Sequence, residues 1–202
     1  MTESFTNTID YYNQNSSQFT SDTLNVEFNN IQDKFLSYLE EGALILDFGC
    51  GSGRDSKYFL DKGYRVEAID GSEEMVKTAS KNTGIAVRQM LFNELDETEK
   101  YDGIFACASI LHVPYKDLPD ILFRMRKALK TNGIAYTSFK YGDFEGERNG
   151  RYFTDMTKEK FSSLLKEVPG WIILEESITE DVRPGRSDEK WLNILMRKEN
   201  HE

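Results

Sequence analysis

Cysteine is scarce in this sequence. The only two cysteines, Cys50 and Cys107, lie far apart along the chain. So small and scattered a set excludes a disulfide framework and a zinc site built on clustered thiols. We therefore expect no metal site, and we interpret both thiols as small side chains that fill tight space rather than as redox groups.

Long apolar runs and basic segments are also missing. No run approaches the roughly 20 residues that a membrane span needs, and the first 17 residues show neither the basic nor the apolar region of a signal peptide. Lys and Arg number 25 against 35 Asp and Glu, a net charge of −10. Because nucleic-acid affinity depends on cations that neutralise phosphates, this balance argues against a nucleic-acid partner. We expect a cytoplasmic protein that acts away from membranes.

What the chain does contain is enough apolar material for a core. Hydrophobic residues make up 39% of the 202 positions and aromatic residues 12%, which is typical of a globular protein. Apolar strand patterns alternate with helical ones after residue 42, and this alternation predicts a parallel sheet covered by helices on both faces. The predicted strands cover 43–48, 64–70, 84–90, 101–108 and 133–141, and the predicted helices 54–62, 72–81 and 117–130.

The two ends of the chain follow other patterns. Residues 1–20 are polar with scattered aromatics and look like an arm or a weak helix, whereas apolar residues recur at helical spacing over 22–40. At the other end, the pattern predicts a helix over 157–167 and two strands over 171–177 and 190–198, joined by a charged loop or hairpin connection.

A glycine-rich loop stands between the first predicted strand and the helix that follows it. In LILDFGCGSG (44–53), glycines occupy positions 49, 51 and 53. Glycine lets a ligand lie against bare backbone, and a helix start offers unpaired N–H groups. Asp70 ends the second strand, where an acid commonly binds ribose hydroxyls. The dinucleotide fingerprint needs a third glycine where Arg54 stands, so the loop disfavours a nicotinamide-dependent oxidoreductase.

Four segments of the chain resemble the class I S-adenosylmethionine-dependent methyltransferases in order and spacing: LDFGCGSG (46–53), VEAIDGSEEMV (66–76), YDGIFACASILHV (101–113) and ALKTNGIAYTSF (128–139). The small stand-alone members of the tellurite-resistance type are the most similar. The resemblance implies a Rossmann-like α/β sheet of seven strands, mostly parallel with an antiparallel last strand, in the order 3-2-1-4-5-7-6. It also implies S-adenosylmethionine as cofactor, with S-adenosylhomocysteine as product.

The resemblance further implies roles for individual residues. Asp47 would lie behind the loop and face the cofactor's amino group, Asp70 would bind both ribose hydroxyls, and Met75 would pack on the adenine. The acid that binds the adenine amino group in many relatives is replaced here by Leu91 and Phe92, so that contact is absent or comes from the backbone. The full set expected to contact the cofactor is Tyr12, Asp47, Gly49, Cys50, Gly51, Asp70, Gly71, Met75, Leu91, Phe92, Cys107 and Ser109.

Three features admit two interpretations each. His112 follows the fourth strand and is either a catalytic base, since its ordinary pKa lies near neutrality, or a packing or capping residue. Tyr11 and Tyr12 either fold over the cofactor or pack within a helix. The stretch 140–156 contains Tyr141, Arg148 and Arg151, which either bind an anionic acceptor, as arginine is suited to do, or are surface groups balanced by nearby acids. Arg183 and Arg186 in the late loop are candidates for the same cationic pocket.

These features together predict a single methyltransferase domain over 1–202. It comprises a helical cap (1–40), a cofactor-binding core (43–140), a substrate-side insertion (141–156) and a C-terminal helix with an antiparallel strand pair (157–202). We expect methyl transfer to a small, anionic acceptor. The motif typical of amino-methylating enzymes is absent after strand four, which disfavours DNA bases and glutamine as acceptors. The alternative is a non-catalytic S-adenosylmethionine or nucleotide-binding regulator. Whether the protein is a monomer or a homodimer stays open.

Overall fold

The computed structural model describes residues 3–24, 26–183, 185–186 and 188–199. Its helices are α1 (Glu3–Thr23), α2 (Asn29–Leu36), α3 (Arg54–Asp61), α4 (Glu73–Thr83), α5 (Leu118–Ala128) and α6 (Lys158–Glu167). Its strands are β1 (Leu44–Phe48), β2 (Arg65–Asp70), β3 (Val87–Gln89), β4 (Tyr101–Ala106), β5 (Leu129–Lys140), β6 (Glu145–Arg148), β7 (Arg151–Thr154), β8 (Trp171–Glu180) and β9 (Lys190–Lys198).

Seven of the strands form one sheet in the order β3-β2-β1-β4-β5-β9-β8. Strands β1 to β5 pair in parallel, and β9 pairs antiparallel with both β5 and β8. The predicted order 3-2-1-4-5-7-6 is confirmed. Strands β6 and β7 form a separate hairpin, so the predicted sixth and seventh strands of the sheet are β8 and β9. The α/β fold class with an antiparallel last strand is confirmed as well.

Strand β1 lies at the centre of this sheet and has a neighbour on each side. Both faces of a central parallel strand are covered by helices, which explains the nearly continuous apolar sequence of LILDF. Successive residues of β4 separate two halves of the core: Ile104 packs in the larger cluster, while Phe105 packs in the smaller one and stacks on Tyr136 at 4.5 Å. Such alternation is the period-two geometry of a strand.

The sequence signals of the central elements agree with the structure. Ser72 caps α4 as predicted, since its hydroxyl accepts a hydrogen bond from the Met75 backbone N–H at 3.2 Å. Strand β3 is shorter than the predicted 84–90, and β5 begins four residues earlier than predicted. None of the helices in the described part of the chain combines the length and the apolar character that crossing a membrane requires.

Outside the central elements, one sequence prediction is wrong in detail and one pair of strands was not predicted. A single helix over 22–40 does not form: α2 begins only at Asn29, and the preceding 21-residue helix α1 covers most of the segment predicted as an arm or weak helix. In the 141–156 insertion, β6 and β7 form a two-stranded antiparallel hairpin that periodicity did not predict. Tyr152 N–H donates to the Thr8 hydroxyl at 2.9 Å, so α1 and the hairpin contact one another.

Candidate functional site

A cavity with a volume of about 540 Å³ lies at the carboxyl ends of β1, β2 and β4. This position is where open α/β sheets bind their ligands, and the volume is typical of a small-molecule site. The glycine loop forms one wall, and α1, the β6–β7 hairpin and the segment 179–193 contribute to the others. The cavity therefore collects residues from almost the whole length of the described chain.

The glycine loop approaches the end of β4 too closely for side chains. A Cβ atom built on Gly49 would lie 2.5 Å from the Ser109 Cβ, and Gly49 itself has a φ of +88°. Both facts require glycine at this position. The Ser109 hydroxyl donates to the Phe48 carbonyl at 2.6 Å, which ties the two strand ends together. The result is an exposed stretch of backbone on the cavity wall.

Asp70 holds the glycine loop to the start of the next helix. Its Oδ2 accepts the Gly51 N–H at 2.9 Å, and its Oδ1 accepts the Ser72 N–H at 2.9 Å. Burial raises the pKa of this carboxyl, and the two backbone N–H groups oppose that rise. Each carboxylate oxygen can accept two hydrogen bonds. Since Asp70 lines the cavity, it keeps acceptor capacity for two hydroxyl groups of a ligand.

Asp47 lies behind the loop rather than on the cavity wall. Its side chain is buried, and Oδ2 accepts the Ser56 hydroxyl at 2.6 Å. Burial, with the neighbouring charge of Asp55, raises the pKa of Asp47 to about 7. A carboxyl group of this kind is readily ionised by a nearby cation.

The remaining residues expected to contact a cofactor divide into two groups. Met75 and Phe92 line the cavity, and the Phe92 ring packs on Phe48 at 4.8 Å. Leu91 is not among the residues that line the cavity. The other lining members of the expected set are Tyr12, Gly49, Cys50, Gly51, Asp70, Gly71, Cys107 and Ser109.

The end of β4 carries a strained backbone beside the two cysteines. Ala108 has a φ of +48°, which is unfavourable for a residue with a Cβ, and its N–H donates to the Ser138 hydroxyl at 2.8 Å. Burial raises the pKa of the Cys107 thiol to about 12 and that of Cys50 well above its usual value. Both groups are thiols at neutral pH, in agreement with a packing role.

His112 lies at the centre of a hydrogen-bonded chain between α1 and the hairpin. Its Nδ1 lies 2.6 Å from the Tyr152 carbonyl oxygen, and its Nε2 lies 2.9 Å from the Tyr12 hydroxyl. Burial lowers the pKa of His112 to about 4, so the ring is neutral at pH 7. Because a carbonyl only accepts, Nδ1 carries the proton and Nε2 accepts from Tyr12. Arg151 Nη1 donates to the same hydroxyl at 3.4 Å.

The predicted acceptor-side residues do not all reach the cavity. Arg148 and Arg151 line it, as do Arg183 and Arg186 of the late loop. Tyr141 is 39% exposed and does not line it. The Arg148 guanidinium pairs with Asp155 and lies 4.2 Å from the centre of the Phe144 ring.

Several lining residues were missed by the sequence analysis, among them Phe19, Phe28, Lys140, Trp191 and Asn193. The aromatic residues at 19 and 28 belong to α1 and the turn after it, and no local pattern separates a cavity-facing aromatic from a core one. Arg54 was noted only as a departure from the dinucleotide fingerprint. It lines the cavity and donates to Asp55 at 2.9 Å.

Comparison with known proteins agrees with this geometry. Residues 45–133 match the family model described as "Methyltransferase domain". A ubiquinone biosynthesis O-methyltransferase of Rickettsia akari (strain Hartford) is 32% identical over 111 residues, which are 52% of this chain and 42% of that protein. The chain therefore spans less than half of that relative's length.

Solved structures share the fold over nearly the whole chain. The Burkholderia thailandensis 1,6-didemethyltoxoflavin-N1-methyltransferase, with bound 1,6-didemethyltoxoflavin and S-adenosylhomocysteine, has a TM-score of 0.75 at 22% identity and covers 95% of this chain and 85% of that one. The [4+2]-cyclase SpnF has a TM-score of 0.73 at 14% identity, with 95% of both chains covered. At these identities the likeness shows the fold alone, and a fold can serve different reactions.

Proposed function

We propose, because this chain belongs to the class I S-adenosylmethionine-dependent methyltransferases, that it transfers a methyl group from S-adenosylmethionine to a small acceptor. The observation that carries the proposal is the joint wall of the glycine loop and Asp70, in which the Gly51 N–H and the Asp70 carboxylate are 2.9 Å apart. This wall presents bare backbone beside acceptor atoms, as a ligand with a ribose and a polar head requires.

The residues present fit such a ligand. Asp70 keeps lone pairs for ribose hydroxyls, Phe92 and Met75 provide an apolar wall for a flat base, and Asp47 is ready to ionise beside an ammonium group. S-adenosylmethionine would supply a sulfonium methyl group already activated for in-line displacement. The chain's own contribution is to hold the acceptor in line and to exclude water, for which α1 and the hairpin cover the cavity.

For an acceptor whose reacting atom carries a proton, we propose His112 as the base. Its tautomer is fixed by the Tyr152 carbonyl, so Nε2 is the nitrogen that would take the proton. That atom is engaged by the Tyr12 hydroxyl at 2.9 Å. Proton transfer to His112 therefore requires Tyr12 to turn away when the acceptor binds.

The acceptor is proposed to be a small anion. Arg148, Arg151, Arg183 and Arg186 line the cavity, whereas the protein as a whole carries a charge of −10. The similarity to a ubiquinone biosynthesis O-methyltransferase covers only part of that relative, so it supports methyl transfer and leaves the acceptor open.

The decisive experiment measures S-adenosylhomocysteine release. The protein is incubated with S-adenosylmethionine and a metabolite extract, and products are read by mass spectrometry. We expect release by the parent and loss of at least about tenfold in cofactor affinity for Asp70→Ala, since charge-assisted hydrogen bonds disappear. Asp96→Ala, at an exposed acid outside the cavity, is the control.

A non-catalytic binder and a nicotinamide-dependent oxidoreductase would each give a different result with the same proteins. Binding of S-adenosylmethionine by calorimetry without any turnover would identify a non-catalytic binder. Tighter binding of NAD than of S-adenosylmethionine in side-by-side titrations would favour an oxidoreductase. Equal cofactor affinities of Asp70→Ala and the parent would refute the proposed site.

A further inference from the structure

Six cationic side chains line the cavity, and five of them are paired with carboxylates. The five pairs are Arg54–Asp55, Lys140–Glu189, Arg148–Asp155, Arg183–Asp181 and Arg186–Glu189. Within the part of the chain that the structure describes, Arg151 forms no ion pair. Arg151 is therefore the one of these six cations that has no carboxylate within ion-pair distance among the described residues.

The surroundings of Arg151 are aromatic rather than acidic. Its guanidinium carbon lies 4.6 Å from the centre of the Tyr11 ring and 5.1 Å from that of Phe153. Its Nε is buried without a hydrogen-bond partner, and its Nη1 donates only a long bond, of 3.4 Å, to the Tyr12 hydroxyl. Ring faces attract a cation without neutralising it, and a buried charge without a partner is costly. The aromatic rings thus hold the Arg151 side chain in place, while its N–H donors remain available to a ligand.

We infer, on the basis of the proposed function, that the methyl acceptor is a monocarboxylate whose carboxylate binds Arg151. The planar fork of a guanidinium matches the two oxygens of a carboxylate. Because Arg151 makes no ion pair with a described residue, its fork is free for a single carboxylate. A phosphate monoester carries about −1.5 to −2 at pH 7 and would leave excess negative charge in a protein that already carries −10.

The position of Arg151 also connects the carboxylate to the rest of the site. The Tyr12 hydroxyl lies between Arg151 and His112, at 3.4 Å from Nη1 and 2.9 Å from Nε2. A carboxylate on Arg151 competes with His112 for the Tyr12 proton. Binding of the correct acceptor therefore turns the Tyr12 hydroxyl away from His112 Nε2, as the proposed proton transfer requires. A neutral analogue does not compete for this hydroxyl, so Tyr12 stays bonded to Nε2.

The first test measures binding without turnover. The full chain is titrated with benzoate, benzamide and phenyl phosphate, with and without saturating S-adenosylhomocysteine. Calorimetry measures the affinities of the parent and of every variant, and NMR follows the Arg151 Nε–Hε resonance of the parent. We expect benzoate alone to shift this resonance with saturation. Arg151→Gln should weaken benzoate binding by about tenfold or more, since a charged hydrogen-bonding group is lost. Arg151→Lys should bind with intermediate affinity.

The matched control is Arg65→Gln. Arg65 is exposed and begins β2, whereas Asp70 ends the same strand, so Arg65 lies far from the cavity end of the sheet. It should bind benzoate as the parent does. Equal affinities for benzoate and benzamide, or an unchanged affinity in Arg151→Gln, would overturn the inference. Tighter binding of phenyl phosphate than of benzoate would overturn it as well, since the site would then select a dianion.

The second test follows turnover. S-adenosylmethionine with a deuterated methyl group is incubated with metabolite extract that has been separated into neutral, singly and doubly anionic fractions. We expect labelled product only from the singly anionic fraction, with loss in Arg151→Gln. Label confined to another fraction refutes the monocarboxylate. If no fraction is labelled while benzoate still binds Arg151, the proposed methyl transfer fails and the anion site stands, so the two failures are distinct.

Discussion

At the scale of single residues, Asp47 is a carboxylic acid buried behind the glycine loop. It is 2% exposed, and burial with the charge of Asp55 raises its pKa to about 7. An ordinary Asp in the unfolded chain titrates near 4. Between these two values, the folded protein therefore holds a proton that the unfolded chain has released.

This difference predicts that the cofactor-free protein loses stability as the pH rises from 4 to 7. The folded state binds more protons over that window, so the free energy of unfolding falls with increasing pH. The raised pKa corresponds to a contribution on the order of a few kcal/mol. Urea unfolding of the parent and of Asp47→Asn across the window measures it.

Asparagine stays neutral at every pH, so Asp47→Asn should flatten this part of the stability profile. Asp102→Asn is the comparison, because its pKa is lowered by hydrogen bonds from Lys130 and the Leu44 N–H, which outweigh partial burial. An Asp47→Asn profile as steep as that of the parent would contradict the assignment. In the same window, affinity for S-adenosylmethionine should rise with pH, since the ionised carboxylate attracts the ammonium group.

At the scale of elements, the sequence was informative where local and global preferences agree. The apolar run 44–48, the Ser72 cap and the helical stripe of α5 each carry their own signal, and the central sheet follows from their alternation. Such consistency is what makes an element predictable. Helix α1 lacks it, because its aromatic residues contact the hairpin and cavity rather than a neighbouring helix.

The β6–β7 hairpin also could not be predicted from the apolar pattern of the sequence. Strand β6 (EGER) has no apolar residue, and the four-residue strand β7 (RYFT) is too short for its aromatic residues to form a recognisable apolar face. The Asn149–Gly150 turn, with φ values of +51° and +77°, is the local signal that was available, since such pairs favour tight hairpins. Most ion pairs of the cavity cations join residues close in sequence, as in Arg54–Asp55 and Arg183–Asp181, whereas Lys140–Glu189 joins distant segments and could not be predicted from spacing.

Several hydrogen bonds join helix α1 to the walls of the cavity, and the one between Tyr12 and His112 can be removed by itself, which yields an element-scale prediction. Tyr12→Phe removes the bond to His112 Nε2, worth about 1 kcal/mol. We expect backbone hydrogen exchange in α1 and in 145–154 to become about fivefold faster, because these elements open locally before the sheet does. Exchange in β1 and β4 should be unchanged.

The matched control is Tyr58→Phe, which removes a hydroxyl bond to Asp33 of 2.6 Å elsewhere on the surface. It should leave exchange in α1 unaffected. If Tyr12→Phe and Tyr58→Phe gave the same exchange pattern, or if exchange accelerated uniformly over the chain, the hydroxyl of Tyr12 would not be what holds α1 over the cavity.

At the scale of the whole molecule, one cavity joins elements that are far apart in sequence. The glycine loop, the end of β4, α1, the hairpin and the segment before β9 all line it. A ligand that contacts several of them stabilises only the folded chain, and at 100 times its dissociation constant it adds about 2.7 kcal/mol.

This linkage predicts a clear thermal shift. For a chain of 202 residues, S-adenosylhomocysteine at 100 times its dissociation constant should raise Tm by about 5–10 °C. Asp70→Ala should lose about half of the shift or more at the same ligand concentration, whereas Asp96→Ala should keep it. Calorimetric scans of the three proteins measure both effects. A full shift in Asp70→Ala would place the ligand elsewhere, because the loop that Asp70 holds through Gly51 would then contribute nothing to binding.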